Sequence, residues 1–453
     1  MTIGLLQSVL FADMFGTAAM RDAVGDLAFI NNCVVVEAAL ARAQARAGVI
    51  PAEAAAAISR TAEAILGGRE RLDLARLKRE TETVGFPILP LVRQLGEQAG
   101  EAGRYVHWGA TTQDIIDSAV VLQIRDGLAL IEADLDALRG HLAALARKHR
   151  DTPMPGRTFF QQALPITFGY KAAVWLSPFD RHARRLAELK QRVLMAQFGG
   201  AVGTLASLGS GEQALRTVAE LARELGLAEP PITWHVARDT IAETVQFLAL
   251  LGGSLAKIAD DVMLLSSTEF GEAGEPAGEG RGASSTMPQK RNPVSCGLIL
   301  AAARMLRQQA GLALDAMVNS FERNAAAWHL EWAAVPEAFG YAAGALHQTN
   351  FIAAGLIVDA GGMRRNLGLT HGLIVAEAVM MGLAPHTGRN EAHHLVTAAC
   401  RTAIAGNRPL YDVLLELPDV AGPLGADKLK ALTDPANYLG AAQAMVDRVL
   451  GGR

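Results

Sequence analysis

The chain has 453 residues, more than one compact core accommodates, so two or three domains are expected. Half of the residues are hydrophobic, 19% are charged and 5% are aromatic, and Ala and Leu, both strong helix formers, carry the apolar content. A net charge of −4 excludes a broad electrostatic attraction for nucleic acid or for an anionic membrane. Cys33, Cys296 and Cys400 are an odd number at wide spacings, which excludes a disulfide framework and suits a reducing compartment. The opening MTIGLLQSVLFADMFG lacks the basic region of a secretory signal. The longest apolar helix candidate holds 13 uncharged residues, Thr244 to Ala256, too few to span a bilayer. A soluble, cytoplasmic protein is expected.

In chain order, residues 1–104 read as an N-terminal helical domain. Thr111-Thr112-Gln113-Asp114 resembles a capping box that opens a long helix. Its apolar stripe is Ile116, Val120, Ile124, Leu128, Ile131, Leu135, Leu138, Leu142 and Leu145, stepping by threes and fours until Asp151-Thr152-Pro153-Met154-Pro155-Gly156 stops it. A second long helix follows Pro165, with Pro178 expected to kink it. A third carries Ile241, Val245, Leu248, Leu251, Leu255, Ile258, Val262 and Leu265, and others follow Pro293 and Glu331. The two clearest stripes each need roughly 30 residues of helix, about 45 Å. Helices of that length pack along one another, so an all-α fold is expected, with a central bundle over residues 105–355 and a C-terminal helical domain over 356–453. No alternating strand pattern and no G-x-G-x-x-G after a strand is visible.

Chemistry concentrates after the third stripe. Glu269 to Gly282 reads EFGEAGEPAGEGRG, with Gly271, Gly274, Gly278, Gly280 and Gly282 and no apolar anchor. It leads into Ser284-Ser285-Thr286-Met287-Pro288-Gln289-Lys290-Arg291-Asn292-Pro293. Two readings stand: a surface loop with helix-capping serines, or a mobile lid that carries a hydroxyl over a substrate. In the second, Lys290 and Asn292 hold a carboxylate by charge and by amide donor.

That ten-residue segment resembles the signature of the fumarase/aspartase superfamily. Two further blocks are similar to it: His107-Trp108-Gly109-Ala110-Thr111-Thr112-Gln113-Asp114, and Gly156-Arg157-Thr158-Phe159-Phe160-Gln161-Gln162-Ala163 with Pro165. The likeness continues through Gly199-Gly200-Ala201-Val202-Gly203-Thr204. Arg104-Tyr105-Val106-His107, Trp234-His235, Arg238-Asp239, Glu322-Arg323, Trp328-His329, Glu331-Trp332, Met363 to Leu367 and His393-His394-Leu395 point to the 3-carboxy-cis,cis-muconate cycloisomerase branch. The resemblance implies a homotetramer whose bundles form one shared core, with each active site drawn from three subunits. It also implies a small polycarboxylate substrate, a metal-independent reaction with no cofactor, and Ser284 as the group that moves the proton next to a carboxylate. Ser285 is assigned to loop geometry beside it. The substrate-binding residues implied are His107, Thr111, Thr112, Gln113, Thr158, Gln162, Met287, Lys290 and Asn292.

The departures from the pattern also carry information. Many relatives place a histidine where Phe159 or Gln162 stands and a glutamate where Gly297 stands, and Ala283 replaces a usual glycine. Expelling hydroxide or an amine needs a general acid. Lactonisation instead uses a carboxylate as nucleophile or leaving group, which at a pKa of about 4 needs none. The missing relay therefore favours a cycloisomerase, acting in protocatechuate (β-ketoadipate) breakdown, over an adenylosuccinate-type lyase. A 3-sulfomuconate cycloisomerase stays open as the alternative, and the intact Ser284, Lys290 and Asn292 argue against a catalytically silent paralogue. Arg323 and Arg238 are expected to grip the anionic substrate, because a guanidinium binds a carboxylate bidentately. His235 and His329 sit beside tryptophans and read as packing residues. His393 and His394 are adjacent and do not share a helix face, so they are not expected to ligate metal.

Overall fold

A computed structural model describes residues 4–209 and 211–452. It is built almost wholly of α-helix. The elements that position the candidate residues are α1 (Asp26–Arg46), α2 (Thr112–Lys148), α3 (Phe168–Val193), α4 (Asp239–Leu265), α5 (Val294–Asp315) and α6 (Ala325–Gly355). The stripe read on α2 is buried at every position except half-buried Val120, and the stripe on α4 is buried throughout. No single helix among the described residues is long and apolar enough to cross a membrane.

The helix ends follow from local chemistry. At the start of α2 the Thr111 N–H donates to the Asp114 carboxylate at 2.9 Å, one half of the expected capping box. At α5 the cap comes from a distant residue: the Glu275 carboxylate accepts from the N–H groups of Ser295 and Cys296 at 3.2 and 2.7 Å. Pro178 lies inside α3, where it removes the donor that Val174 O would have received. The Ser177 hydroxyl donates to that carbonyl instead, at 3.2 Å, and the helix continues. The last long helix begins at Ala325 rather than after Glu331, because Asn324 Oδ1 accepts the Ala326 N–H and caps it earlier.

The chain contains short strands that the sequence reading did not include. β1 (Pro153–Thr158) and β2 (Gln161–Thr167) form an antiparallel hairpin with an irregularity between Pro155 and Arg157. Its turn is Phe159-Phe160, both with positive φ (49° and 61°). A two-residue hairpin turn of this hand normally uses Asn or Gly, so two phenylalanines hide it from a sequence reader. The second pair is β3 (Ala273–Gly274) with β4 (Ile357–Val358).

Contacts divide the chain into two compact units. The first holds the chain up to Leu135 with His182–Gly253 and Ala301–His347, and the second holds Asp136–Arg181, Ser254–Leu300 and Gln348 onward. Helices α2 to α6 contribute residues to both. In the first unit, α1, the start of α2, the helix Glu212–Leu225 and Trp328 share one apolar core. In the second, the C-terminal helices from Ala376 to Leu432 enclose another around Val379, Leu383, Leu410, Leu414 and Leu424.

Candidate active site

The candidate residues fall into one group in each unit. In the first unit the group is organised by Asp114, in the first turn of α2. Its buried carboxylate accepts four hydrogen bonds: from Thr111 N, from Gly199 N and Gly200 N at 2.8 and 2.9 Å, and from His235 Nε2 at 2.7 Å. One carboxylate thus joins three of the sequence blocks. His235 is buried as a brace for Asp114, as its place beside Trp234 suggests. Gln113 is buried next to it, donating Nε2 to His235 O at 2.7 Å and accepting from Arg323 Nε at 2.8 Å. Arg323 Nη2 is buried without a partner. A guanidinium held by one edge with a dry, unpaired donor beside a helix N-terminus has the chemistry to receive a carboxylate. Thr111 and Thr112 are half-buried at the same helix start.

Arg238 does not play the expected role. Its guanidinium is buried and faces Asp117 with both terminal nitrogens, at 2.8 and 3.0 Å, and Glu331 with Nε at 2.9 Å and Nη2. Two carboxylates already occupy it, so it presents no fork to a substrate. Burial pushes the Asp117 and Glu331 carboxyls above their ordinary range, and the charge of Arg238 opposes the shift.

His107 precedes this group. Its φ of 62° is in the left-handed region, and its Nδ1 lies 2.6 Å from the buried Glu37 carboxylate on α1. Burial depresses the imidazole, but the charge and hydrogen bond of Glu37, with the charge of Asp114, outweigh it and raise the group above its ordinary value. Glu37 escaped the sequence reading because an isolated acid in an apolar helix announces no partner.

In the second unit the signature segment forms a loop closed at its neck. Ala283 pairs with Arg291, and Asn292 donates both its backbone N–H and Nδ2 to Gly282 O, at 2.8 and 3.1 Å. Gly282 has φ +67°, and a Cβ there would meet Asn292 O at 2.4 Å, so the neck requires glycine. The methyl of Ala283 adds no such strain, since its φ is not positive. Asn292 therefore spends an amide N–H on the loop itself. The half-buried Ser284 Oγ accepts from Met287 N at 3.1 Å and, more weakly, from Thr286 N at 3.4 Å. Ser285, Met287 and Lys290 are exposed on the same loop.

The glycine-rich approach to this loop is better anchored than its composition suggested. Glu272 is buried and receives both terminal nitrogens of Arg157 and Nδ2 of Asn366. Glu275 caps α5, Pro276 lies against Gly355, and Arg281 stacks over Phe351 and donates to Ser295 and Gln348. The acids and the arginine between the glycines are the anchors. Only Ala277 to Gly280 and the exposed signature loop lack them. Gln162 turns its amide to Asn366 O at 2.8 Å and so ties the hairpin to the helix Ala360–Leu367, leaving Oε1 buried without a partner. Thr158 is exposed beside the Phe159-Phe160 turn. Gly297 has open space around it.

Comparison with known proteins bears on the family and the fold. A family model described as lyase matches residues 17–307, and one described as adenylosuccinate lyase C-terminus matches residues 372–449. The 3-carboxy-cis,cis-muconate cycloisomerase of Pseudomonas aeruginosa is 49% identical over 445 residues, 97% of this chain and 95% of its own. The crystal structure of a fumarate lyase from Mesorhizobium sp. BNC1 is 57% identical, with a TM-score of 0.91 over 97% of this chain and 99% of that one. That of the 3-carboxy-cis,cis-muconate lactonizing enzyme from Pseudomonas putida is 43% identical, with a TM-score of 0.92 over 98% of both chains. The chain belongs to the lyase family of the fumarase/aspartase superfamily.

Proposed function

We propose that this enzyme interconverts 3-carboxy-cis,cis-muconate and a carboxymuconolactone in cytoplasmic protocatechuate breakdown, as a homotetramer with shared active sites. The observation that carries the reading is the pairing of Ser284 Oγ with two backbone donors, with Phe159, Gln162 and Gly297 standing, by the family resemblance, where many relatives carry an acid–base relay. Full-length identity with the P. aeruginosa cycloisomerase supports it.

In the ring-opening direction the Ser284 oxygen takes the proton from the carbon next to a carboxylate. The electron pair moves into that carboxylate as an aci-carboxylate, and its return forms the carbon–carbon double bond and expels the ring oxygen as a second carboxylate. In cyclisation a carboxylate oxygen adds to the alkene and the Ser284 hydroxyl returns the proton to the neighbouring carbon. An oxygen that is to carry negative charge needs preorganised donors, and Thr286 N–H and Met287 N–H are placed for this, with the Lys290 cation on the same loop. Arg323 and Gln113 bind a carboxylate in this scheme.

A substrate panel followed by ultraviolet absorbance tests the assignment. Carboxymuconate should lose its diene absorbance with enzyme, and argininosuccinate and adenylosuccinate should release no fumarate. A second reading, a lyase that expels an amine, is favoured by the His107–Glu37 pair, which could donate a proton to a basic leaving group. Fumarate release without carboxymuconate cyclisation would select it. Among the described residues no three His, Cys, Asp or Glu side chains are grouped to hold a metal ion. The metal-independent reaction that the family resemblance implies predicts that turnover survives exhaustive EDTA treatment; loss of activity that magnesium or manganese restores would end the metal-free scheme.

A further inference from the structure

The Glu37–His107 contact has the features of a charge-setting device. Glu37 and Gln44 lie two turns apart on α1, both buried, and both reach the turn that precedes α2: Glu37 to His107 Nδ1, and Gln44 Nε2 to Trp108 O. The left-handed backbone at His107 turns its ring inward to Glu37. Glu37 Oε2 is buried with no hydrogen-bond partner, so the proton shared with His107 is the main compensation for a carboxylate in a dry place. About a fifth of the His107 side chain remains exposed, at 20%. With Nδ1 committed to Glu37, Nε2 is the nitrogen left to meet a ligand.

We propose that Glu37 is a positioning residue that keeps His107 as an imidazolium, so that Nε2–H binds a substrate carboxylate at the start of α2. The proposal rests on the polycarboxylate reading above. It gives the first unit a second cation beside Arg323, which a substrate with three carboxylates requires. The charged groups acting on His107 are Glu37 from α1 and Asp114 from the first turn of α2, and both favour the cation. Glu37→Gln keeps a hydrogen-bond acceptor for Nδ1–H and removes the charge, so the ring should stay in place while its protonation falls.

The test is calorimetric binding of tricarballylate, a simple tricarboxylate, to the whole enzyme between pH 5.5 and 8.5. It needs no turnover, so it stands apart from the choice of reaction. The ratio of wild-type to variant affinity at each pH cancels the titration of the ligand itself. At pH 7.5 Glu37→Gln should weaken binding about tenfold, as for loss of one charge-assisted hydrogen bond, and the deficit should shrink toward pH 5.5 as the ring regains its proton. His107→Gln, whose side-chain amide can still donate to Glu37, should bind weakly at both ends and so have a flatter profile than wild type. An affinity ratio that does not vary with pH for Glu37→Gln, or a His107→Gln variant that binds as wild type does at pH 6, overturns the proposal. In turnover the loss should appear in KM more than in kcat; a fall confined to kcat would make His107 an acid rather than a carboxylate receptor and overturn it equally.

Discussion

Ser284→Ala should lower kcat by at least about a hundredfold, roughly 2.7 kcal/mol of transition-state stabilisation, and should leave the thermal unfolding curve in place. Both halves of that expectation follow from the local structure. Ser284 lies half-buried in a loop exposed from Ser285 to Arg291, and the hydrogen bonds of its hydroxyl are to Thr286 N and Met287 N within three residues. Removing it leaves two N–H groups that water can reach, so the cost to folding should stay within about 0.5 kcal/mol, as for ordinary surface changes. The neck of the loop is made by Gly282, Ala283, Arg291 and Asn292 and does not involve this side chain. On the proposed mechanism the variant lacks the oxygen that exchanges the proton. Ser285→Ala should cost much less. Turnover of Ser284→Ala within a few fold of wild type would remove it from the mechanism, and a large fall in melting temperature would mean that the serine holds the loop together.

What could be read in advance depended on the distance over which each feature is determined. The α2 and α4 stripes are encoded by residues three and four apart, and they are buried as read, from Ile124 to Leu145 and from Ile241 to Leu265. The Thr111–Asp114 cap is equally local. Features set by distant partners were invisible. Arg238 reads as a free guanidinium until Asp117 and Glu331, more than ninety residues away on either side, are brought to it. Glu272, Glu275 and Arg281 read as polar spacers among glycines until Arg157, the first turn of α5 and Gln348 meet them. The hairpin was hidden for a local reason, because Phe159-Phe160 occupies backbone conformations that phenylalanine rarely adopts. The serine, lysine and asparagine of the signature were legible as a motif, yet the use of the Asn292 amide to close its own loop was not.

Arg238→Met should be the most destabilising single substitution at these positions, by about 3–5 kcal/mol, because it strands two carboxylates in an interior from which water is excluded. Asp117 and Glu331 have side-chain exposures of 1% and 5%, and Arg238 is the cation bonded to both. The pH dependence gives the prediction its sign. In the wild type, burial already raises both carboxyls, with Arg238 holding them down. Without the guanidinium they rise further, so the folded variant takes up protons that the unfolded chain does not hold. A carboxyl whose folded pKa lies above its unfolded one contributes stability below its unfolded pKa and loses it as pH rises through the folded value. The deficit of Arg238→Met relative to wild type should therefore be larger at pH 7.5 than at pH 5. Denaturant melts at the two values measure it. A triple variant with Asp117→Leu and Glu331→Leu added should recover most of the loss, since apolar replacement of a whole buried ion cluster is often neutral or favourable. A pH-independent deficit would assign the damage to lost packing of the long arginine side chain. Full stability in the single variant would mean that Asp117 and Glu331 reach solvent or share a proton, and the Arg238 ion cluster would then not be what joins the start of α2, the start of α4 and α6.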